Sequence, residues 1–406
     1  MNSNNYIQAD KFDFKLFLLL SAILLISPIV GFFLSILFFR QKASAIIFIL
    51  FSFYFGWFYE PQLDLLNHYN HFKYLVGKSL FQQWTDIGTL GIGKEPYPVI
   101  FKYIVGLISV SPNFFSACAC CVYTIIFVYG VLGSLKDLYR SKMKFASLLI
   151  FIGIIFVVEY NWFTGFRFWS GVFVFASFYI RYIRTNQTKY LLLSCLCLCF
   201  HFSLIVLCIA VFFNHFLKER FTLRYILLAL SFIPRILNIP LTAIIAKMSI
   251  FSGIVKPVYS NDRVMESIIE GSEKFRSIGN QFYLLRNEIL LIGIIPVLIL
   301  LKKISDTEFI KKNNELWGLS ITMLTIANCG YTERVFYDRF FKIGLLLTYI
   351  FTYIWIMHLQ NKLKQDLRIK IIAFSILPIL YGIATIVVSQ REFLWRIELW
   401  FNNFFF

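Results

Sequence analysis

Over 406 residues the chain is 59% hydrophobic, has a mean hydropathy of +0.71 and carries charge on only 15% of its positions, too apolar for a soluble globular domain of this length. A lipid solvent accounts for that excess. The net charge of +17 would point to nucleic acid in a soluble protein, but many of the basic residues fall in short connectors between apolar runs, so they report membrane topology and no nucleic-acid partner is expected.

In chain order, apolar runs occupy 16–39, 43–58, 114–135, 145–159, 166–183, 188–216, 225–248, 288–301, 314–329, 340–360 and 369–389. Crossing a hydrocarbon core of about 30 Å takes roughly 20 helical residues. Leu16 to Phe39 and Leu191 to Phe213 are apolar on nearly every face, without the alternation of barrel strands, and helices satisfy their backbone internally. The expected fold class is therefore all-α: a polytopic transmembrane helical bundle of roughly 10–13 spans, including re-entrant or broken helices. The first run is too long for a cleavable signal peptide and has no cleavage site, so it is expected to stay as the first span. Neither an internal repeat nor a low-complexity linker divides the chain, which reads as a single membrane domain over 1–406.

The connectors Arg40 to Lys42, Lys136 to Lys144, Arg181 to Lys189, Lys218 to Arg224, Lys302 to Lys312 and Lys362 to Lys370 are expected to face the cytoplasm. The larger loops 59–96 and 249–287, with 160–167, 330–339 and 390–406, then lie on the opposite, outer side. That count closes only if 97–112 and 188–216 each enter and leave by one face, as re-entrant or broken helices. Such breaks are tolerated where they line a protein cavity.

The eight cysteines lie in apolar surroundings without adjacent charges, and read as small packing residues rather than a disulfide or zinc framework. Chemistry must come from scattered polar residues on the outer side. In Asp64-Leu65-Leu66-Asn67-His68-Tyr69-Asn70-His71, helical spacing puts Asp64, His68 and His71 on one face. That face suits either general acid–base work or a solvated amphipathic helix. Glu95 precedes Pro96 at the start of the short apolar helix, where it either caps the helix or points into a cavity. Arg167 opens an apolar run and must snorkel or find an anion. Near the late boundary, Asp338 is expected to neutralise Arg334 at i,i+4, leaving Arg339 and Lys342 as an unpaired cationic face for a phosphate or diphosphate. His201, inside Cys199-Phe200-His201-Phe202-Ser203, is an ionisable residue in an apolar run, read as functional or as a helix-to-helix hydrogen bond. No Gly-rich phosphate loop, His-Glu-x-x-His helix or Gly-x-Ser-x-Gly elbow occurs.

The ordered series Asp64-Leu65-Leu66-Asn67-His68-Tyr69, Glu95-Pro96-Tyr97, Arg167 opening a helix, mid-run His201-Phe202-Ser203, and late Arg334 and Arg339 resembles bacterial Wzy-type O-antigen polymerases, in the EpsG-like branch of polysaccharide-polymerising membrane proteins. The resemblance covers most of the chain. It departs at Phe168, where the family often has Gln, and at Tyr97-Pro98, where it often has Gly-Tyr.

The resemblance implies an enzyme of the bacterial inner membrane that joins undecaprenyl-diphosphate-linked oligosaccharide repeats at the periplasmic face. It implies Asp64, His68, Glu95 and His201 as catalytic candidates and Arg167, Arg334 and Arg339 as ligands of the substrate diphosphate, with no metal and no cofactor. The partners implied are lipid-linked glycans, membrane lipid and a chain-length regulator protein. A flippase for lipid-linked oligosaccharide and an O-antigen ligase are the alternatives.

Overall fold

The computed structural model describes residues 12–38, 42–59, 61, 63–89, 95–138, 145–158, 165–218, 220–237, 239, 278–303, 307–331, 334–359 and 362–389. Among these residues the regular structure is helical throughout, so the all-α class holds. The helices gather into two compact units, the first drawn from Met1–Lys142 and Glu159–Cys208, the second from Met143–Val158 and Ile209–Arg391.

The first unit begins with α1 (Phe14–Ile26), α2 (Pro28–Leu37) and α3 (Lys42–Trp57), which pack on one another. The single run expected over 16–39 is two helices. Pro28 has no N–H to offer the preceding turn and disfavours the helical region for Ser27, which is extended at φ −139°. α4 (Leu63–Leu75) and α5 (Leu80–Thr89) lie within the expected outer loop 59–96, joined through Gly77 at φ +83°, where a side chain would be strained. α6 (Pro96–Gly106) is the short apolar helix. α7 (Pro112–Ile125) continues through a wider π-type turn at Ile126–Leu132 into α8 (Gly133–Leu138). α4 packs against both α6 and α7, and α3 lies along α7.

α10 (Phe166–Thr185) is the wall on which the rest of this unit is assembled, and it follows α9 (Phe145–Val158) of the second unit. Ser134 donates to Gly130 O and meets Ser177, tying the π-type turn to α10. The expected break in 188–216 is present. α11 (Thr188–Ser194) runs into a 3₁₀ turn at Cys195–Cys199, His201 is extended at φ −156°, and a second 3₁₀ turn, Phe202–Leu204, leads into α12 (Ile205–Phe216). Gly171 permits this: a Cβ there would collide with Leu204 and lie 2.9 Å from Phe200 Cβ, so only glycine lets the broken segment come this close to α10.

The second unit holds most of α12 with α13 (Phe221–Ile236), α14 (Ile278–Lys302), α15 (Thr307–Cys329), α16 (Arg334–Leu359) and α17 (Gln365–Ser389). α16 is its core helix, buried almost continuously from Phe340 to Met357 and packed by α9, α14 and α15. Its buried Thr348 and Thr352 return their hydroxyl protons to carbonyls four residues back. Among the described residues two helical stretches, Pro112–Leu135 and Phe336–Leu359, are long and apolar enough to cross a membrane, and Phe14–Ile26, Pro28–Leu37, Lys42–Trp57, Phe145–Ile155, Thr188–Cys199 and Phe202–Phe216 are shorter apolar helices. Of the expected loop 249–287, residues 249–277 lie outside the described residues, as do 160–164 and the tail 390–406.

Candidate active site

Asp64, His68 and His71 do share the inward face of α4. Asp64 and His71 are half-buried, and His68 is 2% exposed. The His68 ring meets Phe166 edge-on, with centroids 5.4 Å apart. Its Nε2 lies 3.5 Å from Asp64 Oδ2, the separation of an ion pair rather than of a hydrogen bond, and both ring nitrogens lack a hydrogen-bond partner. Burial, followed by the positive charge of Arg167, pulls the His68 imidazole down from 6.5 to about 4 despite the neighbouring carboxylate. Burial and then Lys102 lower His71 in the same direction.

Glu95 occupies the N-cap position of α6, with Pro96 at the first helical residue, yet its side chain makes no capping bond. It reaches away instead. Arg167 Nη1 donates to Glu95 Oε2 at 2.6 Å, and the Phe202 N–H donates to Oε1 at 2.9 Å. One buried carboxylate therefore joins α6, the first turn of α10 and the break before α12. Arg167 sits where the dipole of α10 disfavours a cation, and the carboxylates offset that. Its Nη2 lies 3.8 Å from Asp64 Oδ1, so Arg167 is flanked by both acids. The anion that Arg167 finds within the chain is Glu95.

His201 sits at the break with Nδ1 3.8 Å from Glu95 Oε1. Nδ1 accepts from the Ser203 N–H at 3.2 Å and lies 2.8 Å from Ser203 Oγ, an arrangement that places the ring proton of the neutral imidazole on Nε2. Tyr97 stacks near Phe200 with centroids 4.3 Å apart, and Phe166, Phe101 and Phe115 form the apolar floor. Exposure grades across the cluster. Glu95 is at its base with a side chain 7% exposed, Arg167 is intermediate at 14%, and Asp64 forms the rim at 37%.

Five of the residues singled out from sequence, Asp64, His68, Glu95, Arg167 and His201, thus converge in the first unit. Lys102 was missed. It projects from α6, is 1% exposed, and lies within electrostatic reach of Arg167, Asp64 and Glu95. The signal was present, since a lysine inside the apolar run 97–112 meets the same criterion that drew attention to His201.

Arg334 and Arg339 belong to the second unit, in the first turns of α16. The unpaired cationic face expected there is corrected. Asp338 accepts from Lys342 Nζ at 2.7 Å, one turn further on, and Lys342 is 2% exposed. Arg339 also has a partner, so the two do not form an unpaired cationic face. Asp338 to Lys342 is itself an i,i+4 pair, and a buried lysine gains from a counter-charge. The side chain of Arg334, the expected partner of Asp338, lies outside the described residues.

The second unit has its own polar group at Arg235, which donates to Glu288 Oε1 at 3.0 Å and to Tyr337 Oη at 3.1 Å while Tyr337 donates to the same Glu288 oxygen. Nothing in the sequence reading had marked these three. Among the described residues no group of three or more His, Cys, Asp or Glu is arranged to hold a metal ion, and Asp64, His68 and His71 form no such set.

Chemically, the first-unit cluster offers an accessible carboxylate, two imidazoles and an arginine oriented by a buried acid. Such a set can take a proton from a hydroxyl and stabilise developing negative charge. Comparison with protein-family models, with curated proteins and with solved structures finds no match to this chain.

Proposed function

We propose that this chain is a polytopic membrane glycosyltransferase that polymerises undecaprenyl-diphosphate-linked oligosaccharide repeats at the periplasmic face of a bacterial inner membrane. The observation that carries the reading is the convergence of Asp64, His68, Glu95, Arg167 and His201, from four separate stretches of chain, on one buried ion-pair cluster beside a helix break. These are the polar points on which the resemblance to Wzy-type polymerases rests.

Membrane residence is supported by the two long apolar helices and by the apolar surface of the shorter ones. Leu18, Leu19 and Phe33 are exposed, as are Leu107, Ile108, Phe212, Phe216, Leu230, Ile233 and Ile236. Apolar surface on this scale is stable against lipid and costly in water. The basic connectors, read as cytoplasmic, support an outer position for loops 59–96 and 249–287.

In the proposed reaction a hydroxyl of the non-reducing sugar on one lipid-linked repeat attacks the anomeric carbon of the growing chain. The new glycosidic bond forms as the bond to the second undecaprenyl diphosphate breaks, and the hydroxyl proton passes to a base. Asp64, the most accessible acid of the cluster, is the proposed base, with His68 beside it. Glu95 holds Arg167 and the broken segment in register. Arg167 offsets the charge that develops on the departing diphosphate. The glycosyl diphosphate already carries the free energy of the step.

Purified chain in lipid, given authentic lipid-linked repeats without nucleotide or divalent metal, is expected to lengthen them, and the product ladder is read by mass spectrometry. Transfer between leaflets without lengthening would instead support a translocator.

A further inference from the structure

The first unit buries one cation that no described residue engages by hydrogen bond; Asp64 and Glu95 reach it only through their charge, against that of Arg167. Lys102 is 1% exposed, and among the described residues no ion pair or hydrogen bond engages its ammonium. Its immediate surroundings are just as unsatisfied. His68 Nδ1, His68 Nε2 and His71 Nδ1 are buried without a hydrogen-bond partner, and both rings lie within electrostatic reach of Lys102.

The two acids of the cluster are oriented elsewhere. Glu95 is taken by Arg167 and by the Phe202 N–H, and Asp64 lies between Arg167 and His68. Leaving a buried amine and these imidazole nitrogens without hydrogen bonds is unfavourable. It is tolerable where a ligand completes it. The groups on offer are an ammonium with three N–H donors and two rings that can each donate one. An acceptor-rich, negatively charged ligand fits that set, and a compact group with several oxygens fits better than a single carboxylate.

We infer that Lys102, with His68 and His71, forms an oxyanion subsite that receives a phosphoryl group of a polyprenyl diphosphate. The identity of the ligand rests on the polymerase reading; the existence of an anion site rests on the burial of Lys102 and on the unbonded ring nitrogens of His68 and His71 on the helix packed against α6. Lys102 then adds a second cation to the diphosphate, alongside Arg167, which Glu95 holds in place.

The test uses the full chain in phosphatidylcholine nanodiscs, titrated with inorganic pyrophosphate and with undecaprenyl diphosphate. The wild type is expected to bind both and to melt at a higher temperature when loaded. Lys102→Met is expected to weaken binding about tenfold to a hundredfold, as loss of a charge-assisted contact does, and to raise the melting temperature of the empty protein by removing an unpaired charge. Lys102→Arg should recover part of the affinity, and His71→Gln, which leaves the charge in place, should lose only a few fold.

Pyrophosphate binding by Lys102→Met equal to that of the wild type would overturn the inference. So would a wild type that binds neither compound, or one that responds only to nanodiscs containing phosphatidylglycerol. A wild type that binds pyrophosphate through Lys102 but never lengthens lipid-linked repeats keeps the subsite and removes the polymerase reading. Lengthening that is as fast in Lys102→Met as in the wild type does the reverse.

Discussion

Among the described residues Lys102 in the first unit and Arg224 and Lys342 in the second are buried almost completely, and Lys102 and Arg224 have quite different surroundings. Arg224 donates from Nη1 to Asn314 Oδ1 at 2.8 Å and from Nη2 to Asn214 O at 3.0 Å. The two asparagines pass the network on, to Lys218 O and Glu315 O. Gly318 gives the guanidinium its space, since a Cβ there would run into it. Lys102 has no such shell. The hydrogen bonds of Arg224 tie α13 to α12 and α15, whereas Lys102 has only the longer-range charges of Asp64 and Glu95 to set against that of Arg167 and is open to a further acceptor. Whether the buried cation is hydrogen-bonded, more than its burial, separates the two.

The sharpest way to break that distinction is Glu95→Ala. It removes the acceptor of Arg167 and of the Phe202 N–H together, leaves a largely buried arginine uncompensated, and is expected to cost about 3–5 kcal/mol of stability and all detectable elongation. Thermal melts and an elongation assay check the two effects separately. Arg224→Ala is the counterpart in the scaffold. Its expected cost is about 3 kcal/mol, from stranded acceptors and lost packing, while turnover per folded molecule stays at the wild-type level. A folded Arg224→Ala protein with impaired turnover would place that network in the machinery as well.

Asp64→Asn keeps the shape of the rim and removes its basicity, so elongation is expected to slow about a hundredfold with little change in melting temperature. Asp64→Glu should keep part of the rate. The smallest effect is pH dependence. Unfolded His68 takes up a proton near 6.5 and folded His68 only near 4, so between those values the unfolded chain holds more protons. Stability should therefore be constant above pH 6.5 and fall by up to roughly 3 kcal/mol as the pH drops through that window. Substituting His68 by Gln should flatten this part of the profile, and an unchanged slope would show that His68 is not the group titrating.

Much of this arrangement was legible in the sequence because it rests on local rules. The 3.6-residue period put Asp64, His68 and His71 on one face, and His201 within an apolar run marked the break that the chain makes there. Other features depend on partners far along the chain. Glu95 looked like a helix cap, and only tertiary structure shows its carboxylate turned to Arg167 and Phe202, 72 and 107 residues away. Arg224 was counted with a basic connector, yet it is buried in the first turn of α13 because Asn214 and Asn314 meet it there. Lys342 looked free in the sequence, yet it is buried and paired with Asp338, and burial is not encoded in spacing. The break at Ser27 was legible from Pro28 but was overridden by the apolar run around it.

The most direct measurement is single-turnover elongation of an authentic undecaprenyl-diphosphate-linked repeat by purified protein in lipid, wild type beside Arg167→Ala and Arg167→Lys, each verified as folded. The expected result is a lengthened product from the wild type, a rate at least about a hundredfold lower for Arg167→Ala, and partial recovery in Arg167→Lys, which keeps the charge but not the two-pronged contact. A folded Arg167→Ala protein that builds the same ladder of chain lengths at the wild-type rate would contradict the assignment of the Glu95–Arg167–Asp64 cluster as the active centre.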